Sequence, residues 1–170
     1  MLTPYSKVYD AIWALLESSE EFKEHCSAAN RIKFSGEGDR QPQKGNQQSA
    51  DTPEIMLVAN GGPLNLNNTS STTRVNQAFD LVVNTGDYRL NEFVFPISWI
   101  VTCKAKEWCN TISALKWNGE SFVKVVRITN NTIGESLERR QTGIKGWSTL
   151  IRFDVEMHFG TATQLTISEL

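Results

Sequence analysis

Near the carboxyl end the chain runs Gly146-Trp147-Ser148-Thr149-Leu150-Ile151-Arg152-Phe153-Asp154-Val155-Glu156-Met157-His158-Phe159-Gly160, and this stretch sorts its side chains by twos. Successive residues of an extended chain point to opposite sides, so Ile151, Phe153, Val155, Met157 and Phe159 share one face. Arg152, Asp154, Glu156 and His158 share the other. Apolar against polar at period two predicts a half-buried antiparallel strand from Trp147 to Phe159. Such a strand needs pairing partners on its edges and a covering layer on its apolar face.

The segments before it supply both. Thr3 followed by Pro4 reads as a helix start, and Val8, Ile12, Leu15 and Leu16 then make one apolar stripe. Ser18 and Glu21 fit a capping box for a short second helix through Phe22. Asn30 to Phe34 reads as a short strand, and Glu54 to Asn60, bounded by Pro53 and Gly61-Gly62-Pro63, as a central one. A polar loop then runs to Thr73. Val75, Phe79, Leu81 and Val83 alternate with Asn76, Asp80 and Asn84 in a long strand closed at Thr85-Gly86-Asp87. Ile97, Val101, Ala105, Trp108, Ile112 and Leu115 step by fours and threes, predicting the principal helix over 94–115 with Pro96 in its first turn. Trp117-Asn118-Gly119-Glu120 is a turn, Phe122 to Thr129 a further strand whose apolar residues divide unevenly between its faces, and 130–145 a charged connection.

This order predicts one α+β domain over residues 1–170: a mostly antiparallel sheet of about four or five strands, a long helix packed on one face, and a helical amino terminus. One segment stands outside it. Ser35 to Pro53 contains no Ile, Leu, Val, Met, Phe, Tyr or Trp, so it buries too little to offset its ordering entropy and is expected to be mobile in the free monomer. A long structureless loop inside a compact domain is often functional, and here a solvated insertion and an arm that orders against a partner are both open.

A net charge of −2 gives no electrostatic reason for nucleic acid or an anionic membrane to be the main partner. The amino terminus lacks a basic region followed by an apolar core, so no secretory signal is expected. Val94 to Val101, the longest apolar stretch, falls well short of the ~20 residues of a membrane span. Cys26, Cys103 and Cys109 are an odd count without Cys-x-x-Cys spacing, which argues for reduced thiols made in a cytosol and against a disulfide framework or zinc site. The glycosylation-like triplets at Asn67, Asn68 and Asn130 are then chance matches in polar loops.

Catalytic chemistry finds little to stand on, and no cofactor or catalytic residue is assigned. Asp154, Glu156 and His158 share a strand face and in principle suit a divalent metal, as in a small metal-dependent hydrolase. An alternating strand places polar groups there without any chemistry, which is the stronger reading. His25 beside Cys26 reads as structural or solvent-exposed. There is no Gly-x-Ser-x-Gly elbow, and neither glycine-rich stretch has phosphate-loop context. Arg139, Arg140, Lys145 and Arg152 could touch a phosphate backbone, but Glu135, Glu138, Asp154 and Glu156 dilute them, favouring a solvated face or a protein contact. Trp99, Trp108 and Trp117 default to core or element ends, while Trp147 could anchor a subunit interface.

The element order, with Asn30-Arg31-Ile32 after the first helices, Pro53-Glu54-Ile55-Met56-Leu57-Val58 after the loop, the alternating strand at 75–84 and the ending Gly143-Ile144-Lys145-Gly146-Trp147-Ser148-Thr149-Leu150-Ile151-Arg152-Phe153, resembles the tail terminator (tail completion) proteins of long-tailed bacteriophages. The resemblance covers roughly residues 5–160, and the loop at 35–53 exceeds what many members carry. It implies a non-enzymatic virion protein, made in the host cytoplasm, that forms a ring, expected to be a hexamer, on the last ring of the tail tube. Such a ring stops tube growth and meets the head connector, while DNA passes without specific binding and no membrane is involved. On that reading Arg40, Lys44, Arg139, Arg140, Lys145 and Trp147 are candidate subunit or partner contacts, and Asp154 and Glu156 candidate channel-facing residues. A head-completion or neck protein is the nearest alternative.

Overall fold

The computed structural model describes residues 3–25, 31–33, 54–59, 65–68, 72–84, 95–133 and 148–160. The candidate contact residues Arg40, Lys44, Arg139, Arg140, Lys145 and Trp147, and the 35–53 loop, lie outside the described residues.

Helix α1 spans Pro4–Ser18 and begins as the residues dictate: the Thr3 hydroxyl accepts from the Ser6 amide at 3.2 Å and the Ser6 hydroxyl from the Thr3 amide at 2.8 Å. This reciprocal box satisfies two of the amides a helix start leaves unpaired. Val8, Ile12 and Leu16 are buried on one stripe, and Leu15 packs against them from its edge.

Helix α2, Glu20–His25, corrects the expected cap. Ser18 is the last residue of α1 and its hydroxyl turns back to donate to Leu15 O at 2.9 Å. Ser19 takes the role instead, its Oγ accepting from Phe22 N at 3.3 Å and donating to Glu21 Oε2 at 3.0 Å. The hydroxyl must sit three residues before the amide it caps, and the cap residue itself must be extended; Ser19, with ψ 110, is.

The sheet is built from β1 (Arg31–Lys33), β2 (Glu54–Ala59), β3 (Asn65–Asn68), β4 (Thr72–Asn84), β7 (Val123–Ile133) and β8 (Ser148–Gly160), in the spatial order β1-β2-β4-β8-β7 with β3 pairing the first part of β4. All pairings are antiparallel except β1 with β2. β4 and β8 pair along their whole length, from Thr72 opposite Gly160 to Asn84 opposite Ser148. The two longest strands thus form the middle of the sheet, and β8 has its alternating faces where the sequence places them. Two segments read as loop are partly strand: β3 lies within the expected polar loop, and β7 runs on to Ile133. β3 has only Leu66 as an apolar residue, so no alternation marks it in the sequence, and its backbone pairs with Thr73 to Asn76.

The uneven faces of β7 have a definite cause. Val123 pairs with Met157 and Val125 with Glu156, leaving Lys124 as an extra residue, a β-bulge. Before the bulge an odd-numbered residue, Val123, points into the core; after it the even-numbered Val126 and Ile128 do.

Helix α3, Phe95–Ser113, lies against β7 and against α1 and α2. Ile97, Val101, Trp108 and Ile112 are buried beneath it, with Trp108 stacked on Phe153 of β8 at 6.3 Å. At the other side of the layer Tyr9 meets the Phe79 ring at 6.3 Å and donates its hydroxyl to Leu57 O at 2.7 Å. A small hairpin, β5 (Lys116–Trp117) and β6 (Glu120–Ser121), follows α3. Its turn places Asn118 at φ 50 and Gly119 at φ 84, the left-handed values that make Asn-Gly the preferred two-residue connection. Lys7 Nζ donates to Lys116 O at 2.6 Å, tying this hairpin to α1. The whole is an α+β domain with its core between one helical layer and one face of the sheet.

Candidate functional site

Because the helices take the odd-numbered face of β4 and β8, the even-numbered face is left to do the molecule's polar business. Register sets its side chains in rows: Arg74 beside His158, Asn76 beside Glu156, Ala78 beside Asp154, Asp80 beside Arg152 and Val82 beside Leu150. On the far side of β8, Val125, Arg127 and Thr129 stand next to Glu156, Asp154 and Arg152.

Two charge networks hold this face. Arg152 Nε meets Asp80 Oδ1 at 2.8 Å and its Nη2 meets Oδ2 at 3.0 Å, a fork-to-fork pair joining β4 to β8. Asp80 is only 8% exposed, so the fork engages a nearly buried carboxylate. The pair raises the guanidinium's pKa above its ordinary value, chiefly through the Asp80 hydrogen bond and then through its charge. In the second network Glu156 Oε1 lies 2.5 Å from His158 Nε2 and 3.5 Å from Arg74 Nε. The His158 hydrogen bond, outweighing a desolvation cost of opposite sign, together with Arg74 and Arg127, holds the Glu156 carboxyl below the usual carboxylate range.

Asp154 and Glu156 therefore occupy the face expected of them, half-buried, but in mixed company. On β4, β7 and β8 the same face carries Arg74, Arg127 and Arg152 against Asp80, Asp154 and Glu156, three of each. The physical character is charge-paired rather than acidic. Nor do Asp154, Glu156 and His158 converge: Glu156 is engaged by His158 and Arg74, and no group of three His, Cys, Asp or Glu among the described residues is arranged to hold a metal ion.

The other notable surface is on α3. Phe95 is 52% and Trp99 67% exposed, one helical turn apart on the side away from the core. This overturns the core reading of Trp99, which falls out of step with the buried Ile97, Val101 and Trp108. The helical phase itself carried the signal, since Trp99 never belonged to the stripe. Cys103, one turn further on, is exposed, and Cys109 is half-buried with its thiol pKa pushed up by burial.

No family model matches the chain, and no curated protein matches it. None of the helices among the described residues is long and apolar enough to cross a membrane.

Proposed function

We propose that the protein is a structural subunit of a phage virion at the head-tail junction, which assembles into a ring on the end of the tail tube, ends tube growth and offers a surface to the head connector. The observation that carries this reading is the division of labour in the fold. One sheet face supplies most of the core, while on the other Arg152 is paired with Asp80, and Glu156 is held by Arg74 and His158. Groups so paired make a rigid, patterned face of the kind used in recognition. The exposed Phe95 and Trp99 are the residue types that anchor protein contacts. Resemblance in element order to tail terminator proteins supplies the particular role.

In that role the balanced face suits the wall of a DNA passage, because a surface without net positive charge has no counterion-release gain from holding a duplex. Asp154 and Glu156 would act there by cancelling the neighbouring arginines. The direct test is to add the purified protein to polymerised tail tubes and image them in negative stain. Rings capping tube ends and a halt in tube growth are expected; free protein beside uncapped, still growing tubes would overturn the reading.

A further inference from the structure

The sheet ends very differently on its two sides. On one side it finishes in β1 and β3, of three and four residues; on the other it finishes in β7, of eleven. Among the described residues no strand pairs with the outer side of β7. Exposed edges are usually blunted by charge, proline or a bulge. Here the bulge at Lys124 guards only the first end, and from Val125 to Ile133 the strand has Arg127 as its single charge and no proline.

The direction of the free backbone groups follows from one hydrogen bond. His158 N donates to Phe122 O at 2.8 Å, which makes Val123 and Met157 a pair without direct bonds to each other. Carried through the bulge, the bonded positions facing β8 are Val125, Arg127, Thr129 and Asn131. The amides and carbonyls of Val126, Ile128, Asn130 and Thr132 point away from the sheet.

We propose that this outer edge of β7 is a self-association site, taking β7 of a second copy antiparallel about Asn130 and continuing the sheet across a two-fold axis. Pairing about that residue sets Asn130 against Asn130, Ile128 against Thr132 and Arg127 against Ile133. No like charges meet, and the flank of the half-buried Ile128 is covered. A head-to-tail arrangement would have to lay the long edge on a three- or four-residue one, whereas the two-fold arrangement matches like with like. The inference does not rest on the ring reading; pairing of β7 would belong to the free protein before it is built into a tail.

The full chain should therefore self-associate through a dimer in size-exclusion chromatography with light scattering over a concentration series. Asn130 is exposed, so Asn130→Lys should leave the circular dichroism spectrum unchanged while weakening dimerisation by roughly tenfold or more, because two ammonium groups then oppose each other. Asn130→Asp should do the same alone, and mixing the two variants should restore the dimer. A monomeric wild-type chain, a dimer indifferent to Asn130→Lys, or variants that fail to re-associate on mixing would each overturn the proposal. A dimer that ignores tail tubes would remove the ring reading and leave this one standing; tube-capping rings from a chain that never dimerises would do the reverse.

Discussion

Single side chains on this sheet are tuned by what stands beside them across the strands. Glu156 is the clearest case. Its folded pKa lies below the ordinary value of about 4.3, so the stability it contributes is fully present above that value and is lost as pH falls through the lower, folded value. Glu156→Gln should accordingly cost stability near neutrality, and the gap between variant and wild-type melting temperatures should close on acidification from about pH 5 to pH 3. A gap that widens with acid would contradict the direction of the shift. Thr149 makes the opposite point. It is fully buried on the core face of β8, yet its hydroxyl has no hydrogen-bond partner among the described residues. An unsatisfied buried hydroxyl costs about 1–3 kcal/mol, so Thr149→Val should raise the melting temperature, by an amount worth about 1 kcal/mol in chemical denaturation. A loss of stability instead would show that the hydroxyl is satisfied.

Among the elements, β7 shows how one residue decides the use of many. With Lys124 in place the apolar Val126 and Ile128 reach the core although Val123 does so from the other parity. Deleting Lys124 would leave Val123 opposite Met157 and Val125 opposite Glu156 in unbroken alternation, so Val126 and Ile128 would keep the core side and only the bulge would be lost. A folded protein is expected from the deletion, with a loss of stability larger than that of the side-chain change because the backbone must re-form without the bulge. Lys124→Ala keeps the residue count and removes only an exposed side chain, so its cost should stay within about 0.5 kcal/mol in urea titration. Equal effects of the two changes would mean that the side chain, not the extra backbone unit, is what the bulge supplies. The α1 and α2 caps argue the same way on a smaller scale, since Ser18 and Ser19 are chemically alike and only the position at which α1 ends chooses between them.

At the scale of the whole molecule the exposed aromatic pair on α3 separates stability from association. Phe95→Ser with Trp99→Ser removes apolar surface that already faces water, so the melting temperature should hold, or rise by a degree or two. Under the proposed function the same double variant should lose affinity for tail tubes or connectors in co-sedimentation, with aromatic anchors of this kind each worth about 2 kcal/mol or more. A folded variant that sediments as wild type would move the contact surface away from this aromatic pair.

Pattern alone determined a good deal. The two faces of β8, the stripe of α3, the Asn118-Gly119 turn and the Thr3 cap were all legible because each depends on residues near one another in the chain, through period two, period 3.6 or a fixed offset. Long-range pairing decided the rest. Which residues face Asp154 and Glu156 is a matter of register between strands some 70 residues apart in sequence, as in the bond that Arg152 donates to Asp80. An apparently acidic face thereby becomes a charge-balanced one. The bulge at Lys124, the strand made of Asn65 to Asn68, and the long edge of β7, unpaired among the described residues, likewise exist only in the assembled sheet, because backbone hydrogen bonds between distant segments leave no trace in local composition.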